Sequence, residues 1–280
     1  MAYSFDTYRV DIANRPFVRS DGYTTPQTAT ISLFNARGNK INTFHLAHPD
    51  ISDIYEKIGK GEPVNLDHCY LRGFSFTACK RYLLIDKLLY IKVNAFSARN
   101  AFFESPLSLE FSLVEFMDEV SFDESYFVAH SLEFHSSKFS NHGFSLTNAF
   151  IKAGRINFSQ TAFTGGLISF KNTILDTGEK NFQDVDFGDG NITFINTDFG
   201  DGDVSFINTR FNSSDVSFKV ARFGKGKTDF HFAKFGSGTV SFERVEFGHG
   251  RVDFRTVEFG SGKTSFNRAV FSDGEVNFEG

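Results

Sequence analysis

His45, His48 and Asp50 fall within one short stretch, His45-Leu46-Ala47-His48-Pro49-Asp50, and two imidazoles with a carboxylate are ligand types for a divalent metal. The simpler account is a strand running into a helix whose N-cap is Asp50, because no further ligand motif completes the set. Cys69 and Cys79 are the only cysteines. Cys69 occupies an inward small-residue position, and both read as buried apolar thiols rather than as nucleophiles or a disulfide framework. Lys180 is the one charged residue at a position expected to face inward, two before Phe182. A local bulge over residues 176–181, or a lysine reaching back to water, accounts for it. His130, His135, His142, His231 and His249 share no common column. No Ser-His-Asp order, phosphate loop or paired carboxylate emerges, so the expectation is no enzyme, no metal and no cofactor.

The elements that would have to position such groups are repeats. Phe194 and Phe199, Phe206 and Phe211, Phe218 and Phe223, Phe230 and Phe235, Phe242 and Phe247 form pairs five residues apart, with seven to the next pair. The pattern begins at Phe111 and Phe116 and runs to Phe271 and Phe278, with Leu146, Ile151 and Leu175 standing in without breaking the count. Position, not aromatic chemistry, is what the repeat demands. Two residues before each Phe lies a second inward series, such as Val204, Val216, Thr228 and Val240. That period-two alternation of Val and Thr predicts short strands. The seven-residue link carries Gly-x-Gly, as in Gly224-Lys225-Gly226, where glycine permits positive φ and a tight corner. The Phe residues from Phe194 to Phe247 are therefore expected to form a structural core ladder. Each repeat touches mainly its neighbours, so the 280 residues, 38 of them Phe, specify a rod more than a globule.

Net charge is −5, and residues 181–280 contribute −4 of it as 15 acidic against 11 basic side chains. Mild, interspersed acidity marks neither a nucleic-acid-binding stripe nor a strongly anionic surface, so no direct nucleic-acid binding is expected. No stretch is apolar enough to span a membrane and the start is polar, which predicts no membrane partner and a cytoplasmic location.

Residues 1–63 read as a separate α+β unit. Thr28–Phe34 and 40–46 are candidate strands around a turn with Gly38 at its tip, and Ile51, Ile54, Tyr55 and Ile58 recur at helical spacing after Asp50. Residues 64–110 form irregular first coils, in which 82–91 and 96–103 are apolar without period, and 111–280 form the regular Phe-rich solenoid.

A small residue, a polar residue, Phe or Leu, then two more residues is the pattern of the pentapeptide-repeat family, which the chain resembles over about residues 64–280. The resemblance implies an all-β fold, a right-handed quadrilateral β-helix whose central Phe or Leu points inward. This sequence departs from uninterrupted fives by two extra Gly-rich residues at every second corner, which leaves the family's coil of about twenty residues open. Charges argue for coil length, because residues stacked on adjacent coils lie ~4.8 Å apart and prefer opposite sign. Before the second Phe stand Asp186, Asp198, Arg210, Arg222, Lys234, Glu246 and Glu258. Twelve-residue coils give two favourable contacts of six, whereas twenty-four-residue coils give four of five. Twenty-four is therefore expected, with about seven coils in the regular rod.

The leading functional expectation is a non-catalytic scaffold that presents the N-terminal unit and binds a protein partner whose identity the residues do not specify. The resemblance supplies an alternative, since some family members imitate duplex DNA and bind DNA gyrase or a related topoisomerase; here Arg210, Arg222, Lys225, Lys227 and Lys234 interrupt the acidity this requires. An enzyme carried by residues 1–104 has no residue in its favour. Val276-Asn277-Phe278-Glu279-Gly280 stops in mid-unit, which leaves Phe271 and Phe278 as a candidate self-association end or marks the chain as part of a longer repeat.

Overall fold

A computed structural model describes residues 4–212 and 215–279. From Val64 the chain winds as a parallel β-helix that returns to register every twenty-four residues: Ile192 pairs with Val216, Val216 with Val240, and Arg210 with Lys234. One coil thus takes two twelve-residue units. Its four sides are carried, in mid-rod, by Asn191–Thr193, the bridge at Asp198, Val204–Ser205 and Arg210–Phe211, hereafter faces one to four. Face one is a nine-stranded parallel sheet from Val64–Asn65 to Thr264–Ser265. The fold is an all-β, four-sided β-helix of about eight turns with a small N-terminal unit.

Phenylalanine fills the interior because one planar shape stacks at the coil repeat. On face one Phe194 and Phe218 lie 4.8 Å apart and nearly parallel, and Phe218 and Phe242 follow at 5.0 Å. On face three Phe206 and Phe230 repeat this at 4.8 Å. The two ladders interdigitate edge to face, with Phe206 against Phe218 at 5.6 Å and 87°. Faces two and four carry their own stacks, Phe199 on Phe223 at 4.4 Å and Phe211 on Phe235 at 4.6 Å. Each inner ring therefore meets aromatic partners along the axis, and offset or edge-on packing adds to the burial itself. Buried hydroxyls are satisfied within the same frame: Thr197 and Thr209 donate to the carbonyls of Phe170 and Phe182, each at 2.7 Å.

The corners divide the backbone constraints. At one kind, every twelfth residue from Glu124 to Arg268 has φ between 53° and 60°, although none is glycine. Asn148, Asn172, Asn196 and Asn208 suit that conformation, whereas the β-branched Val220, at φ 60°, is strained. At the Gly-x-Gly corners the sequence argument needs correcting. Positive φ occurs at Gly188, Gly200, Gly202 and Gly260, but Gly250 and Gly262 are required by close approach: a Cβ there would meet the carbonyl oxygen one coil below at 1.9 and 1.8 Å.

The N-terminal unit contains the expected hairpin and helix. Strands β1 (Thr7–Ala13), β2 (Phe17–Val18), β3 (Thr24–Thr25), β4 (Thr28–Phe34) and β5 (Lys40–Ala47) precede helix α1 (Ile51–Gly59), which Asp50 caps through the Ser52 amide. Strand β1, which the sequence did not announce, completes an antiparallel sheet of order β1-β4-β5. Helix α2 (Phe76–Tyr82) was also unannounced. It is an insertion in the first coil, where Val64 pairs with Phe96. Three long strands, Phe102–Glu110, Tyr126–Glu133 and Phe150–Asn157, turn the corner from face two to face three. Their first halves present Phe102, Tyr126 and Phe150 outward, and with Tyr70 these form a second core under Phe5, Ala29, Ile31, Leu33 and Leu46 of the sheet. The N-terminal unit is thus packed on face two.

Three substitutions separate these effects in chemical denaturation. Phe218→Ala is expected to lose ~3–5 kcal/mol through the cavity left in two ladders. Gly250→Ala is expected to lose at least ~1–3 kcal/mol by overpacking, while Val220→Asn gains about 1 kcal/mol by relieving positive-φ strain. A Phe218→Ala loss below about 1 kcal/mol would remove this column from the core.

Candidate functional site

The residues with metal-like spacing serve three different partners. His45 Nδ1 lies 2.9 Å from the Thr30 hydroxyl across the β4–β5 pair, His48 Nδ1 lies 3.4 Å from the Tyr70 carbonyl, and Asp50 Oδ1 accepts from the Ser52 amide at 2.8 Å. Among the described residues no group of three or more His, Cys, Asp or Glu is placed to hold a metal ion. Cys69 and Cys79 are buried and unbonded to each other, and burial pushes both thiols up to about 12. The remaining imidazoles are dispersed: His135 contacts Ser159, His142 lies 3.8 Å from Asp118, and His249 lies 2.5 Å from Asp273.

Lys180 forms neither a bulge nor a path to water. It keeps register between Ile156 and Val204, is fully buried, and its Nζ donates to the Asp201 carbonyl at 2.9 Å. Burial depresses its pKa to about 8, against the opposing pull of Asp176, Asp198 and Asp201. A second buried lysine escaped the sequence reading: Lys80 on α2 donates to the Leu113 carbonyl at 3.0 Å, and burial lowers its pKa. Its signal was hidden because α2 itself lacks a recognisable period.

Outside the core, each face has its own chemistry. Face one stacks hydroxyls in unbroken register through Ser145, Ser169, Thr193, Ser217, Ser241 and Ser265. Face three stacks Asn181, Ser205, Asp229, Asp253 and Asn277. Its two adjacent carboxylates are buried and neutralised, Asp229 by Lys227 at 2.5 Å and Asp253 by Arg255 at 2.7 Å and Arg251 at 3.5 Å. The Arg255 guanidinium holds the Asp253 carboxyl down at about 2. On face four the stack is Asp186, Arg210, Lys234 and Glu258, with ion pairs Arg210–Asp186 at 3.7 Å and Lys234–Glu258 at 2.7 Å. The outward column of face two changes character along the rod. Tyr70, Phe102, Tyr126, Phe150 and Ile174 are apolar beneath the N-terminal sheet, and Asp198, Arg222 and Glu246 follow beyond it.

The seam between sheet and rod closes on Glu104. It pairs with Arg72 at 3.2 Å, and its charge acts on the neighbouring Tyr8 and Tyr70 phenols. Burial, then the Glu104 charge, pushes Tyr8 up to about 12, and burial pushes Tyr70 higher still. Lys152 Nζ donates to the Asp6 carbonyl at 2.7 Å, and a cavity of about 340 Å³ opens among Tyr8, Arg72, Pro106 and Lys152. At the far end Phe194, Phe199, Phe206, Phe211, Phe218, Phe223, Phe230, Phe235, Phe242 and Phe247 give way to rings covered on one side only. Phe259, Phe266 and Phe271 are half-buried and Phe278 is 52 % exposed.

No family model matches this sequence, and no curated protein or solved structure matches it.

Lys180→Ile is expected to stabilise the fold by about 1–3 kcal/mol at neutral pH, since a buried ammonium gives way to the side chain its column favours. With the folded pKa near 8 and an ordinary value of 10.5, the unfolded chain binds more protons between those values. Stability should therefore rise with pH across that window in the parent and stay flat across it, at this site, in Lys180→Ile. Denaturation midpoints on a pH series check both, and parallel curves for the two proteins would contradict the burial of Lys180.

Proposed function

We propose that the chain is a non-catalytic scaffold, a stiff rod that carries the N-terminal unit on face two and engages protein through its remaining faces and its far end. What supports this reading is the ion-paired, mixed-sign surface: Arg210–Asp186, Lys234–Glu258, Arg222–Glu246, Lys219–Glu243 and Lys225–Asp201 all join successive coils. Imitation of DNA calls for dense, unpaired acidity along the rod, so this alternation speaks against the gyrase-binding alternative, which rests on the family resemblance alone. Each exposed pair adds little stability, but together they leave a mixed-sign, patterned surface suited to protein contact.

The far end has a self-complementary chemistry. Val270 and Phe278 are exposed, and the half-buried Phe259, Phe266 and Phe271 have the ring type that stacks on them throughout the rod. A second copy offers the same rings and the same free strand edges, so the proposal is association of two chains through these coils. Light scattering over a dilution series tests it. The apparent mass is expected to climb above one chain at tens of micromolar and to fall back in a Val270→Lys, Phe278→Ser variant; a single-chain mass throughout would refute association. Supercoiling by DNA gyrase should be unaffected by the protein, and inhibition in that assay would favour the alternative.

A further inference from the structure

The loop joining α2 to face four, residues 83–90, presents more apolar surface than any packing need explains. Leu84 is 94 % exposed, Leu88 72 % and Leu89 60 %, with Tyr82 and Tyr90 part-exposed beside them. The loop is built to hold this arrangement. Ile85 donates to the Lys80 carbonyl at 2.8 Å and Leu89 to the Asp86 carbonyl at 3.0 Å, and the Asp86 carboxylate receives the Leu88 amide at 2.9 Å. Leu84 stands just beyond the helix C-cap with φ 58°, where glycine is the usual residue. A leucine there carries backbone strain, and its side chain is left almost wholly to solvent.

We propose that this loop lies in the interfacial layer of a lipid bilayer that carries anionic headgroups. Two observations select that occupant. The leucines stand on two successive turns and are 60 to 94 % exposed, so a fluid apolar phase that surrounds each side chain suits them. The charges around them are mixed with a basic excess: Arg81 and Lys87 stand against Asp86, Lys92 pairs with Glu115 at 3.7 Å, and Glu56, which accepts from the Tyr82 hydroxyl, pairs with Lys60 at 3.5 Å, in a chain of net charge −5. Lys138 adds a further cation, held over the Tyr90 ring at 4.4 Å. Exposed leucines with tyrosines and basic residues beside them are the residue classes that a bilayer takes up in its hydrocarbon boundary, interface and headgroup layers. No helix among the described residues is long and apolar enough to cross a membrane, so the contact is with its surface. This departs from the expectation of no membrane partner, which was drawn from the lack of a span. It does not depend on the scaffold proposal.

Co-flotation with vesicles of phosphatidylcholine alone and with phosphatidylserine tests it. The protein is expected to float with the phosphatidylserine vesicles and to lose that binding in Leu84→Ser, Leu88→Ser, Leu89→Ser, all surface changes that leave the fold intact. Lys87→Glu should weaken binding by roughly fivefold or more. Because the chain has no Trp, Leu88→Trp supplies a single probe whose emission should shift to the blue on insertion. Absence of flotation, or flotation indifferent to the leucines, would overturn the proposal. So would concentration-dependent dimerisation, abolished by the leucine changes without any lipid binding, which would assign the loop to a second copy.

Discussion

Everything in this molecule follows from the stacking of phenylalanine rings at the coil spacing. A backbone that advances one strand separation per turn brings identical side chains into van der Waals register, and a planar ring is the shape that fills such a column without gaps. Ladders on faces one and three lock edge to face, as Phe218 does with Phe206 and Phe230. The interior is therefore continuous along the axis, and its cross-section is set by four rings.

That interior dictates the backbone around it. Six residues per side leave little chain for corners, so one kind of corner puts Asn196 or Asn208 at positive φ and the other brings Gly250 onto Gly226 with no space for a Cβ. The surface is then what remains free to vary. The same outward column of face two is apolar where the N-terminal sheet covers it and charged from Asp198 to Glu246, so one scaffold supplies both a docking face and a solvated one. The pKa shifts likewise trace enclosure: Lys180, Cys69 and Cys79 move because burial disfavours their charged forms.

The sequence made the solenoid legible because the Phe spacing is strict and position-specific. Coil length was legible from charges alone, and the stacking of Asp186 on Arg210 and of Arg210 on Lys234 agrees with twenty-four residues. The Asp50-capped helix was legible because its apolar spacing and its cap coincide. Helix α2 was not, since Phe76 and Cys79 give too short a period to rise above the repeat. The seating of the N-terminal sheet was missed too, although Tyr126, Phe150 and Ile174 at an outward position carried the signal. The role of glycine was half legible: composition shows that a corner needs it, whereas only geometry shows whether positive φ or close approach is the reason.

A double-mutant cycle on the second Phe series tests the ladder most directly. Phe223 stacks on Phe247 at 5.2 Å, one coil away, while Phe235 lies on the opposite face. Chemical denaturation should show Phe223→Ala and Phe247→Ala coupled by more than ~0.5 kcal/mol, and Phe223→Ala with Phe235→Ala additive within about 0.5 kcal/mol. Coupling of Phe223 to Phe235 with additivity toward Phe247 would contradict the account, since it would place residues twelve apart on one face.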